Sequence, residues 1–136
     1  MKAITLTELG TQPALRADQS APTPGPAEVL VRVRASSVNP VDNAIAAGML
    51  KDMVEHVFPV TLGRDYAGVV EQIGADVTGY SVGDEVFGFI PGMAPAVQAG
   101  SWAELIVVPE SMSIARKPDG VDLASAGAAR SPPSRR

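Results

Sequence analysis

Cysteine is absent from the 136 residues, and histidine occurs once, at His56. The first absence excludes disulfides, thiolate metal ligands and a thiol nucleophile, and the second excludes a His-rich zinc site. No apolar run approaches the roughly 20 residues of a membrane-spanning helix, so no membrane partner is expected. The opening Met-Lys-Ala-Ile-Thr-Leu-Thr-Glu has no long apolar segment followed by a small-residue cleavage site, so no signal peptide is read and a cytoplasmic location is expected. Basic charge is also scarce: eleven Lys and Arg stand against fifteen Asp and Glu, a formal net charge of −4. Without a basic patch in the body of the chain, no nucleic-acid partner is expected. The residues present, 46% hydrophobic and 19% charged, have the balance of a soluble globular domain with a real core.

Thirteen glycines and twelve prolines are scattered along the chain, which predicts many short elements separated by turns. Residues 2–6 read as a first strand. Residues 18–27, with Pro22, Pro24, Gly25 and Pro26, read as a loop because proline there suits neither a helix nor a central strand. Residues 28–36 alternate, with Val29, Val31, Val33 and Ala35 on one face and Arg32 and Arg34 on the other, the period of a half-buried strand. A short helix follows over 39–48. Asn39 suits its N-cap, Pro40 its first position, Asp42 the positive end of its dipole, and Gly48 its close. Residues 51–60 fit no single pattern. Strands are expected at 66–73 and 85–90, joined by a glycine-punctuated segment, and at 102–108. The whole reads as a small β-barrel with minor helical decoration.

Six stretches, in order, carry a resemblance. They are Met1-Lys2-Ala3-Ile4, Glu28-Val29-Leu30-Val31-Arg32-Val33 and Ser37-Val38-Asn39-Pro40-Val41-Asp42, then Leu62-Gly63-Arg64-Asp65-Tyr66-Ala67-Gly68-Val69-Val70, Val82-Gly83-Asp84-Glu85-Val86-Phe87-Gly88 and Gly100-Ser101-Trp102-Ala103-Glu104. Each is weak alone, but together they resemble the N-terminal catalytic domain of medium-chain dehydrogenases/reductases, in the zinc-independent quinone oxidoreductase (zeta-crystallin-like) branch. The resemblance covers residues 1–129. It implies a mainly β fold, a GroES-like, partly open β-barrel with short helices, which complete members follow with a Rossmann domain that binds NADPH. It further implies NADPH-dependent reduction of a quinone or an activated alkene (an enone) by direct hydride transfer, with the protein supplying orientation and polar contacts.

The same resemblance addresses metal and site residues. In zinc-dependent relatives a Cys stands at the place of Asn39, a Thr or Ser proton relay at that of Val41, and the zinc-binding His at that of Arg64, beside an acid at Asp65. An amide, an aliphatic chain and a guanidinium do not form the shell that Zn²⁺ prefers, so no zinc and no metal site are expected. Asn39 is the candidate catalytic residue, orienting substrate and nicotinamide. Asn39, Pro40, Val41 and Asp42 are the candidate cofactor-facing wall, and Arg64, Asp65 and Tyr66 the candidate substrate contacts. Plainer roles stand beside these. Asn39 and Asp42 serve equally as helix cap and first-turn acid, Arg64 and Asp65 as a local surface pair, and Asp65 as a structural hydrogen-bonding group. Tyr66 and Trp102 also read as packed residues and His56 as an ordinary loop or helix residue.

The resemblance stops after Ala129, where relatives continue with a sequence such as Pro-Leu-Ala-Ala-Ile-Thr-Ala. Plausible codons for that sequence (CCG CTC GCC GCC ATC ACG GCG), read one base later, give Arg130-Ser131-Pro132-Pro133-Ser134-Arg135-Arg136. Residues 130–136 are therefore expected to be a disordered, frameshifted basic tail, with the Rossmann domain absent and the chain inactive alone, binding no NADPH. A basic tail that recruits an acidic partner is the alternative. On the truncated reading the apolar side of Val121, Leu123, Ala124, Ala126 and Ala128 faces water, and self-association or homodimerisation through the exposed domain interface is expected. A co-chaperonin-like module and a non-enzymatic interaction or dimerisation module derived from the same fold are the other classes the sequence leaves open.

Overall fold

The computed structural model describes residues 1–8, 12–38, 40–49, 52, 55–90, 96–97, 100–111 and 114–127. Its spine is a five-stranded sheet in the order β10-β7-β6-β3-β9, formed by β3 (Glu28–Ser36), β6 (Asp65–Ile73), β7 (Glu85–Phe89), β9 (Leu105–Pro109) and β10 (Ile114–Arg116). All of its pairings are antiparallel. A second sheet, β2-β1-β5, joins β1 (Ala3–Leu6), β2 (Ala14–Arg16) and β5 (Val60–Thr61). The two-residue strands β4 (Glu55–His56) and β8 (Ala96–Val97) pair in parallel. Two short helices complete the described elements, α1 (Pro40–Ala46) and α2 (Leu123–Gly127). The mainly β, partly open architecture with short helices agrees with the sequence expectation. Among the described residues no helix is long and apolar enough to cross a membrane.

The alternation of β3 explains most of the core. Val29 and Val31 are fully buried beside Tyr66, Val70, Val86 and Val108, with Val33 packed on them. On the opposite side Arg32 reaches Glu71 of the neighbouring strand. The expected alternation fails at Ala35. The β3–β6 register shifts between Val33 and Ala35, and an extra residue in one strand turns its successors to the other face. Ala35 therefore packs with Ala67, Phe87 and Ala126 rather than with the valines. A third cluster joins the smaller sheet to α1, where Ile45 meets Leu6, Val60 and Leu62, with Trp102 against them. Burying one such aliphatic side chain contributes about 1.5–3 kcal/mol, so Ile45 anchors the helix that bears the candidate site.

Several expectations need correction. The strand expected from residue 102 begins at Leu105. Residues 102–104 are instead stitched crosswise, with Trp102 N donating to Leu62 O (2.8 Å) and Glu104 N to Lys2 O (3.0 Å). His56 lies in the short strand β4, not in a loop or helix. The segment 121–126 presents only part of its apolar side to water: Ala126 is buried, with Val121 and Leu123 half-buried beside it against Ala67 and Phe87, while Ala124 is exposed. The sheet's outer face supplies that partial cover. Ala128 and residues 130–136 lie outside the described residues, as does Asn39.

Candidate functional site

Three segments far apart in sequence converge where β3 runs into α1, where β5 turns into β6, and where the chain approaches β9. The middle one makes a tight turn. Gly63 holds a φ of +99°, a left-handed conformation that side-chain-bearing residues avoid. A Cβ there would lie well inside the contact distance of Trp102 Cδ1 and 2.5 Å from Ser101 Oγ, so the turn and the 101–102 segment fit only because the residue is glycine. Gly63 O accepts from Ser101 N at 3.0 Å. Its N–H donates to Asp42 Oδ1 at 3.1 Å.

Asp42 sits in the first turn of α1, where its charge was expected to serve the helix dipole. It is also buried, at 1% exposure, with its carboxylate turned onto the Gly63 turn. Arg64 follows at 7% exposure, its Nε donating to Gly63 O at 2.9 Å. Burial pushes the guanidinium pKa down and the Asp42 carboxylate pulls it back up. A buried cation needs such a counter-charge. Asp65, at 3% exposure, accepts from Ser37 Oγ at Oδ2 (2.8 Å), while its main-chain oxygen accepts from Ser36 Oγ. Ser36 Oγ also lies 3.0 Å from Ser101 Oγ, and Trp102 Nε1 donates to Ser37 O at 3.2 Å.

The structure thus gathers Asp42, Arg64 and Asp65 around the 63–65 turn, and burial rules out a surface pair for the last two. Pro40 opens α1 and is exposed, and Val41 follows it in the helix. Tyr66 is enclosed in the first core cluster, where burial pushes its phenol pKa far up and keeps the proton on. Ser36, Ser37 and Ser101 drew no reading from sequence, because their partners lie 28 to 65 residues away. The pattern Leu62-Gly63-Arg64 carried the only local signal of the turn.

A dinucleotide fits these residues poorly. Pyrophosphate binds where a glycine-rich turn leads from a parallel strand into a helix. Among the described residues, α1 follows Ser37 and Val38, α2 has five residues, and the only parallel pairing is the two-residue β4–β8. Among the described residues no group of three His, Cys, Asp or Glu side chains would hold a metal ion.

Known proteins share this architecture and sequence. The model of the alcohol dehydrogenase GroES-like domain matches residues 25–119. A 2-methylene-furan-3-one reductase of Solanum lycopersicum is 36% identical over 132 residues, covering 94% of this chain and 34% of the relative. A chloroplastic quinone-oxidoreductase homolog of Spinacia oleracea is 31% identical over 110 residues, covering 81% and 32%. The solved quinone oxidoreductase of Pseudomonas syringae superposes with a TM-score of 0.78 at 29% identity, covering 93% of this chain and 36% of that one. A mycobacterial protein solved in complex with NADPH gives 0.77 at 32% identity, covering 96% and 38%. The chain spans about a third of the length of the curated relatives it matches.

Proposed function

The chain belongs to the alcohol dehydrogenase GroES-like domain family, and from that membership we propose that residues 1–129 form the substrate-side wall of an NADPH-dependent, zinc-independent oxidoreductase that reduces quinones or activated alkenes. The observation that carries the reading is the buried Asp42–Gly63–Arg64 arrangement. A guanidinium stands where the resemblance puts a zinc-binding imidazole in the metal-dependent branch, and both neighbouring carboxylates are engaged by hydrogen-bond donors. A preorganised wall of fixed polar groups suits a reaction in which negative charge grows on a carbonyl oxygen.

The nicotinamide would supply the hydride, and the described residues hold no cradle for its pyrophosphate. The work of this chain is therefore orientation. Asn39, which lies between β3 and α1 in sequence, would orient the substrate. Asp42 would fix the first turn of α1 to the turn at Gly63, and Arg64 and Asp65 would set the polarity behind it. Tyr66 is held in the core, where it packs with the valines of β3.

Trp102 is the single tryptophan and is bonded to Ser37, so it reports on this wall directly. Titration of the 136-residue protein with duroquinone should quench Trp102 fluorescence saturably, and Asn39→Ala should weaken the saturable component. The protein should carry no stoichiometric zinc, and chelator should leave its melting curve unchanged. NADPH should not be consumed by the 136-residue protein, because the described residues offer pyrophosphate no glycine-rich turn leading from a parallel strand into a helix. Purely collisional quenching, or one zinc per chain whose removal unfolds the protein, would overturn the proposal.

A further inference from the structure

β9 lies at an edge of the five-stranded sheet. One side of Leu105–Pro109 pairs with β3, and the other side meets no strand among the described residues. Just before β9 the gap between the two sheets is closed, since Ile4 N donates to Trp102 O (2.8 Å), Glu104 N to Lys2 O (3.0 Å), and Ala3 opposes Ala103 in a single bridge. Past Glu104 the sheets part. The opening is a cavity of about 460 Å³ whose wall includes Met1, Pro59, Thr61, Leu105, Ile106 and Val107. A main-chain edge with no strand partner among the described residues and a half-buried apolar wall therefore share one opening.

The devices against strand pairing stand at the ends of this edge rather than within it. Its sequence, Leu-Ile-Val-Val-Pro, has no charge, its ladder with β3 runs without a bulge, and its one proline is terminal. Charge stands just outside both ends, at Glu104 and Glu110. The Lys2 amide donates to the Glu104 carboxylate and holds its pKa below the ordinary value. Glu110 accepts from Thr78 N at 3.1 Å and from Gly79 N. A second copy pairing antiparallel about Val107 would set Glu104 against Glu110 at both ends, and like charges directly opposed are destabilising. The same pair of carboxylates attracts a strand with cationic ends.

From this juxtaposition we infer that β9 is a strand-addition site for another polypeptide, taking an extended apolar segment of about five residues flanked by Lys or Arg. Main-chain hydrogen bonds would hold the added strand to Leu105–Pro109, alternate side chains would enter the cavity, and the flanking cations would meet Glu104 and Glu110.

The test uses the 136-residue protein and the peptide Lys-Val-Thr-Val-Thr-Val-Lys, followed by amide chemical shifts and hydrogen exchange. Binding should slow exchange at the amides of Leu105 and Val107, which point away from β3, and should be about tenfold tighter than for the same peptide with Glu ends, a difference near 1.4 kcal/mol. N-methylation of alternate peptide residues, which keeps the side chains but removes main-chain donors, should abolish it. Val107→Lys should weaken it while circular dichroism stays native. Equal binding of the N-methylated peptide, protection elsewhere or no binding would overturn the inference. So would protection of the same amides that rises with protein concentration alone, since a second copy would then own the edge.

Discussion

Gly63→Ala probes the turn on which the candidate site is built, and Gly83→Ala supplies its internal control. Both glycines are left-handed, at φ +99° and +96°, so alanine at either position costs about 1–2 kcal/mol in backbone strain. They differ in surroundings. A Cβ at Gly83 meets nothing within 4 Å, whereas at Gly63 it collides with Trp102 Cδ1 and meets Ser101 Oγ at 2.5 Å and Trp102 N at 2.7 Å. Relieving that crowding means moving the 101–102 segment, and forcing an extra methyl into a packed site typically costs about 1–3 kcal/mol more. The displacement also loosens the Trp102 Nε1–Ser37 O and Trp102 N–Leu62 O bonds, each worth about 0.5–1.5 kcal/mol. Gly63→Ala should therefore lose about 2–5 kcal/mol and Gly83→Ala about 1–2 kcal/mol. Urea unfolding followed by Trp102 fluorescence and by far-ultraviolet circular dichroism reads the difference. With a slope of about 2 kcal/mol per molar, the Gly63 variant's midpoint should fall roughly 1 M below that of the Gly83 variant. Its native emission should shift while that of the control stays fixed. Equal losses in the two variants, or an unshifted emission spectrum, would refute the crowding argument.

Two further outcomes depend on the polar groups. Thr5 is buried and its Oγ1 meets no hydrogen-bond partner among the described residues, so Thr5→Val should leave stability unchanged or raise it by up to about 1–2 kcal/mol in the same urea assay. A loss above about 1 kcal/mol would show the hydroxyl to be satisfied. Acid should destabilise the fold through Glu104 and Asp122, whose carboxylates accept from the Lys2 and Ser125 amides and have lowered pKa values. A depressed folded-state pKa contributes stability above the unfolded value, here 4.5 for Glu104 and 3.8 for Asp122, and that contribution is lost as pH falls through the folded value. The variant carrying Glu104→Gln and Asp122→Asn should show a flatter melting-temperature profile below those values. An unchanged profile would count against both hydrogen bonds.

The sequence by itself determined the elements whose causes are local. Val29, Val31 and Val33 alternate because a strand shows successive side chains to opposite faces. Pro40 and Gly48 bracket α1 because one fits a first helical turn and the other, at φ +80°, tolerates the left-handed close. The six motifs, taken in order, carried the family and the fold class. Tertiary structure decided the features that depend on partners distant in the chain. Ala35 changed face through a register shift set by its pairing with Ala67. Ala126 found cover on Ala67 and Phe87, which no pattern within 121–128 displays. Asp42 read as a first-turn acid, and only the approach of Gly63, 21 residues on, turned it into the anchor of a buried turn beside Arg64. Ser37 and Ser101 became site residues in the same way, because a hydroxyl takes its role from whichever donor or acceptor the fold brings within about 3 Å.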